Sequence, residues 1–167
     1  MTDFVIYAVP VAGGIVGIAP LPGGGDAAAY KDDLLHMKDW RPALVLSMTT
    51  QAEMVAGGAE RLGGDLQDLG TRWVHLPVPD FGVPEGRAVA DWAAASHAAL
   101  AALRGRGRVL VHCRGGCGRS GMVALRLMIE AGEAPEAALT RLRAIRPCAV
   151  ETSAQLRWAS DVSDAKH

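Results

Sequence analysis

The chain has 167 residues, half of them hydrophobic, and a formal net charge of −1. That length and apolar content suit one domain with a full core, residues 1–167, and exclude a disordered chain. The near-neutral charge argues against broad electrostatic binding to nucleic acid or an anionic membrane, while leaving room for a local basic pocket.

In chain order, Phe4–Pro10 and Gly14–Ala19 read as two short strands around an Ala-Gly-Gly turn. This apolar start lacks a basic region and is broken by Pro10, Gly13, Gly14, Gly17 and Pro20, so it does not read as a signal peptide. Asp26 is placed to cap a helix running to about Trp40. Ala43–Met48 is a buried-strand run. Thr49–Leu62 reads as helix up to Gly63-Gly64, and Asp65–Leu69 as a further short turn. Trp73–Val78 alternates as a strand does, and a Pro/Gly loop follows over Pro77–Gly86. Arg87–Leu103 is the strongest helix. Val109–Cys113 is a short buried strand, with helices after it at Arg119–Ala131, Pro135–Ile145 and Ser153–Val162. Strands separated by helices predict an α/β fold: a three-layer domain with a central mixed sheet of about five strands, flanked by helices. No stretch is long and apolar enough to span a bilayer.

The chemistry concentrates between the strand ending at Cys113 and the helix beginning near Arg119. The turn His112-Cys113-Arg114-Gly115-Gly116-Cys117-Gly118-Arg119-Ser120 holds three glycines. Glycines let successive N–H groups point into one concavity, which binds anions, and the following helix adds its positive end. Arg119 can offer a planar fork to two oxygens. A cysteine in such a field is stabilised as the nucleophilic thiolate. One loop thus supplies a nucleophile, an oxyanion cradle and a charge clamp. A dinucleotide fingerprint, Gly116-x-Gly118-x-x-Gly121, overlaps it. That reading needs a further strand beyond Ala131, where the chain reads as helical, and it leaves Cys113 and Arg119 without a role. No Gly-Lys-Ser/Thr of a Walker loop occurs.

His-Cys-x5-Arg-Ser is the signature of the protein tyrosine phosphatase superfamily, and this loop resembles its small dual-specificity branch, most of all the kinase-associated phosphatase type. Gly17-Ile-Ala-Pro-Leu-Pro-Gly23, Pro79-Asp80-Phe-Gly-Val-Pro84 and Arg143-Ala-Ile-Arg-Pro…Gln155 extend the resemblance along the chain. It implies a two-step reaction through phosphocysteine without metal or other cofactor. Cys113 would be the nucleophile and Arg119 the clamp. Arg114, Gly115, Gly116, Cys117 and Gly118 would cradle the phosphate. Asp80 would be the general acid, with Glu85 and then Asp91 as fallbacks. Ser120 would assist breakdown of the intermediate and cap the helix, and His112 would orient the loop backbone. For Gln155 the resemblance offers a water-positioning role, against a plain surface glutamine. The implied partners are a phosphorylated protein as substrate and a phosphate or sulfate ion in the loop, with no nucleic acid, no membrane and a monomeric state. Inositol lipids are less expected, because the lipid-directed branch carries lysines within this loop.

His36, His75 and His97 read as structural residues, and the tryptophans as core or partner-surface anchors. Cys-x3-Cys lacks a second pair at zinc spacing. Three cysteines without disulfide-style spacing point to a reducing compartment, hence the cytoplasm. Cys117 is expected to pack beneath the loop; the alternative is that it traps oxidised Cys113 as a disulfide.

Overall fold

A computed structural model describes residues 3–162. Strands β1 (Tyr7–Val11) and β2 (Gly14–Ala19) form an antiparallel hairpin with Val11 opposite Gly14. Its two-residue turn, Ala12-Gly13, has positive φ at both positions, matching the twist that a tight hairpin needs. The other strands are β3 (Leu44–Ser47), β4 (Arg72–His75) and β5 (Arg108–His112), and the sheet order is β1-β2-β5-β3-β4. All pairs except β1–β2 are parallel, so the sheet is mixed.

β5 lies at the centre, between β2 and β3. Val109, Leu110 and Val111 are all fully buried, which is why this strand reads as an unbroken apolar run. Side chains alternate between faces. Val109 and Val111 join a core with Trp92 and Leu103 of α4 (Arg87–Arg104), Met122 of α5 (Gly118–Glu130), Leu142 of α6 (Pro135–Ile145) and Ala159 of α7 (Ser153–Ser160). Leu110 joins the opposite core, with Met37 of α1 (Ala27–Asp39), Met54 of α2 (Gln51–Ala56) and Leu62 and Leu66 of α3 (Leu62–Asp68). Seven helices thus flank one five-stranded sheet among the described residues, in the three-layer α/β arrangement expected from the sequence.

Asp26 caps α1 as expected, accepting from Ala28 N and Ala29 N. The helix expected over Thr49–Leu62 is two helices: α2 stops at Gly57-Gly58, where Gly58 turns left-handed, and α3 starts at Leu62. β4 ends earlier than expected. Leu76 N and Val78 N still donate to Ser47 O and Met48 O, but Pro77 and Pro79 bring no N–H and the ladder stops. The N-terminal strand is shifted forward to Tyr7–Val11, and the last helix ends at Ser160 rather than Val162. Trp92 meets Trp158 edge to face at 5.0 Å, a packing role for both. No helix among the described residues is long and apolar enough to cross a membrane.

Candidate active site

The loop after β5 stands at the C-terminal end of the parallel strands, between the ends of β2 and β3, where open α/β sheets place their ligands. Cys113 is buried, with 3 % exposure. Its Sγ lies 3.2 Å from Ser120 Oγ in the first turn of α5. No side chain caps that helix start and no acidic residue occupies its first turn, so its positive end faces the loop; the Glu151 carboxylate of the return segment packs against Gly118 at the same end. Gly116 is left-handed at φ 73° and lies against β2's end; a Cβ there would meet the Ala19 carbonyl carbon at 2.9 Å. Leu21 N donates to Arg114 O at 3.0 Å, so the early Pro-Leu-Pro loop braces this one. The Arg114 side chain is exposed at the rim.

Arg119 is 2 % exposed, and both of its terminal nitrogens are engaged. Nη1 and Nη2 donate to the two carboxylate oxygens of Glu53 at 2.6 and 2.7 Å, and Nη1 also donates to Val78 O at 2.9 Å. Burial works against the charged guanidinium, but its hydrogen bonds to Glu53 and the neighbouring Cys113, Glu53 and Asp80 raise its pKa overall, so it stays charged. The Arg119 hydrogen bond in turn holds the Glu53 carboxyl at about 2, overcoming desolvation and aided by Thr50. Glu53 also closes a capping box with Thr50 from the third helical position, which fixes the side chain that meets Arg119.

Asp80 Oδ1 lies 3.3 Å from Arg119 Nη2, and the Asp80 side chain is 43 % exposed. Its loop turns through Gly82 N donating to Pro79 O, with Phe81 left-handed at φ 62° and Phe81 N donating to Asp80 Oδ1. Gln155 is fully buried rather than a surface residue. Its Oε1 accepts from Glu151 N and Thr152 N at the start of α7, and its Nε2 donates to Gly82 O at 3.1 Å. Gln155 therefore ties α7 to the Asp80 loop. Asp91 pairs with Arg87 on the exposed face of α4, outside this arrangement.

His112 is buried and neutral: burial pushes its pKa down to about 4, against the opposing bond to the Cys113 carbonyl. Trp73 Nε1 donates to Ser47 Oγ, which leaves the Ser47 hydroxyl proton for His112 Nε2. The tautomer assigned by this network carries its proton on Nδ1, directed at Cys113 O at 3.3 Å. His112 thus contacts the loop backbone at the Cys113 carbonyl. His75 bonds Thr49 O, a structural contact.

The cysteines depart from the sequence reading. Cys117 neither packs as a free thiol nor pairs with Cys113; it is disulfide-bonded to Cys148, and Cys113 alone is free. Helix α6 and the turn after it return the chain to the loop, bringing together two cysteines 31 residues apart. Cysteine usage consequently gives no argument for a reducing compartment. Arg146 from the same return segment donates to Gly116 O at 2.9 Å and Gly115 O at 3.1 Å.

Glu53, Ser47, Arg146 and Cys148 are the residues that sequence reasoning missed as neighbours of the site. Only Glu53 carried a local signal, the Thr50-x-x-Glu53 box, and that signal speaks of a helix start. A groove of about 1060 Å³ between α4, α5 and α7, lined by Trp92, Arg126, Glu130 and Trp158, shares no residue with the Cys113 loop. A cavity of about 400 Å³ beside Arg114 and Glu53 adjoins it. No group of three or more metal-ligating side chains gathers among the described residues.

A family profile described as "Swiss Army Knife protein, DSP-PTPase phosphatase domain" matches residues 25–159. Comparison with curated protein sequences returns no match. Among solved structures, kinase associated phosphatase (KAP), with its catalytic-site cysteine replaced by serine, superposes with a TM-score of 0.85 at 23% identity, covering 100% of this chain and 99% of that one. Tk-PTP in its active form gives 0.73 at 25% identity, covering 95% and 97%. PTPMT1 in complex with PI(5)P gives 0.73 at 19% identity, covering 95% and 96%.

Proposed function

The chain belongs to the DSP-PTPase phosphatase domains, within the small dual-specificity branch, and from that premise we propose that it hydrolyses phosphate monoesters of protein side chains, phosphotyrosine and/or phosphoserine/threonine, through a phosphocysteine intermediate. The observation that carries the reading is the buried Cys113 sulfur at the base of a glycine loop whose Arg119 is clamped by Glu53.

In the first step the Cys113 thiolate attacks phosphorus. The S–P bond forms as the P–O bond to the leaving group breaks. Loop N–H groups and the α5 start hold the equatorial oxygens, and Arg119 takes two of them on its outer edge, its inner edge being fixed by Glu53. Asp80, beside Arg119 on an exposed loop, gives its proton to the departing oxygen. In the second step water attacks the phosphocysteine, Asp80 takes the proton back, and Ser120 Oγ donates to the sulfur as it leaves. Gln155 holds the Asp80 loop through Gly82 O; positioning of the attacking water is the role that the family resemblance adds for it. The positive field comes from backbone and Arg119, so no metal enters either step.

Turnover of p-nitrophenyl phosphate in the presence of EDTA tests the reaction; a rate that vanishes with EDTA and returns with a divalent ion would overturn the metal-free mechanism. A panel of phosphotyrosyl and phosphoseryl peptides, a nucleotide and phosphoinositide vesicles tests the substrate. Preference for the peptides supports the proposal. Preference for the vesicles would favour a lipid substrate, a reading that the exposed Arg114 and the fold shared with the PI(5)P complex of PTPMT1 keep in view.

A further inference from the structure

Cys117 sits inside the anion-binding loop, and its partner Cys148 lies in the return segment between α6 and α7. That segment grips the loop at several points. Arg146 donates to Gly115 O and Gly116 O, and Val150 N donates to Cys117 O at 3.4 Å. Arg143 fixes the segment itself, donating to Ala149 O and Val150 O at 2.9 Å each. The disulfide is the covalent member of this clamp. Cys117 and Cys148 are both half-buried, within reach of a small dithiol, whereas Cys113 is buried.

We infer that the Cys117–Cys148 disulfide is a reversible redox clamp on the phosphate loop: oxyanions bind tightly when the pair is oxidised and weakly when it is reduced. The inference rests on the phosphatase reading of this loop. Three glycines give the loop many alternative backbone shapes, and its N–H groups converge on an anion in few of them. A cross-link to a fixed segment removes the alternatives, so the cradle is organised before the anion arrives. A dithiol reductant supplies two electrons and two protons. The S–S bond breaks, Cys117 and Cys148 become thiols, and the reductant closes to its own disulfide. The sense is opposite to oxidation of a catalytic thiolate, which stops the reaction.

The test equilibrates the full chain with oxidised or reduced dithiothreitol, reads the state of each cysteine by alkylation and mass spectrometry, and measures inorganic phosphate binding by calorimetry. Reduction of the pair is expected to weaken phosphate binding about tenfold. Cys148→Ser is expected to bind at the weak value in both buffers; should that variant not fold, the wild-type pair of measurements decides alone. Unchanged phosphate affinity after demonstrated reduction would overturn the clamp, as would free Cys117 and Cys148 thiols in the oxidised buffer. Redox-dependent phosphate binding without hydrolysis would count against the hydrolase reading alone. Hydrolysis with redox-independent binding would count against the clamp alone, and no phosphate binding in either state would overturn both.

Discussion

Two loops meet at the site, and they are held in opposite ways. The Cys113 loop is buried except at its Arg114-Gly115 rim and half-buried Cys117, and it is fixed from several sides: Gly116 against Ala19, Arg146 on two carbonyls, the Cys117–Cys148 bond, and Glu53 behind Arg119. The Asp80 loop is half-exposed and held by few contacts, the Gln155 bond to Gly82 O and the Asp80–Arg119 pair among them. The difference matches what the proposed mechanism asks of each loop. An oxyanion cradle acts through preorganised dipoles and loses its effect if it reorganises. A proton donor must come to substrate and leave with product, which a lightly tethered loop allows.

On an activated substrate such as nitrophenyl phosphate, substitutions in the fixed loop should therefore cost most. Cys113→Ser should reduce turnover to background while retaining phosphate binding, because serine keeps the loop but offers no thiolate. Arg119→Lys should lower kcat by about 10²–10³-fold, the cost typical of losing an oxyanion donor, since lysine cannot grip Glu53 and two phosphate oxygens in one plane. Retention of most of kcat in the lysine variant would remove planar clamping from the account.

The exposed loop should show a loss that depends on substrate. Asp80→Asn should lower kcat by roughly 10²–10⁴-fold for a poor leaving group, the range for general acid catalysis, and much less for nitrophenyl phosphate. A series of aryl phosphates compared between wild type and variant measures this. An unchanged leaving-group dependence would make Asp80 a turn residue and move the search to Glu85.

How far these loops could be read in the sequence follows from how each is built. The Cys113 loop is contiguous, so its glycines, Arg119 and the flanking strand and helix were legible together, and β5 was legible because burial on both faces leaves an unbroken apolar run. Asp80 was reachable only through a family resemblance, since an aspartate in a Pro/Gly turn has an ordinary local explanation. The supports were not legible. Glu53 meets Arg119 across 66 residues, and its one local mark, the capping box, describes a helix start. Cys148 meets Cys117 only because α6 returns the chain to the loop, a tertiary event with no sequence period. The α2–α3 break was missed because Gly57-Gly58, rather than Gly63-Gly64, carries the left-handed turn.

The smallest expected effect lies in these supports. Glu53→Gln keeps a hydrogen-bonding side chain at the cap but loses the ion pair, and should lower kcat about tenfold through a misplaced Arg119. The pH dependence of stability checks the same pair. Glu53 titrates at about 2 in the fold against an ordinary 4.5, so its contribution is complete above about pH 4.5 and is lost as pH falls toward 2. His112, held near 4 against an ordinary 6.5, adds a loss that begins as pH falls below 6.5 and is complete near 4. In urea titrations the Gln variant should lose only the lower of these two phases. A variant curve parallel to wild type down to the acid limit would show that the pair contributes nothing to the fold.

The central claim is that Cys113 carries the phosphoryl group between the two steps. Ser120→Ala removes the hydroxyl 3.2 Å from its sulfur and should slow breakdown of the intermediate more than its formation. Acid quenching of that variant during turnover of an aryl phosphate, followed by peptide mass spectrometry, reads the intermediate directly. The account predicts a burst of product matching the amount of enzyme, and phosphate covalently attached at Cys113. Steady turnover with no phosphate on Cys113 at any quench time would contradict it.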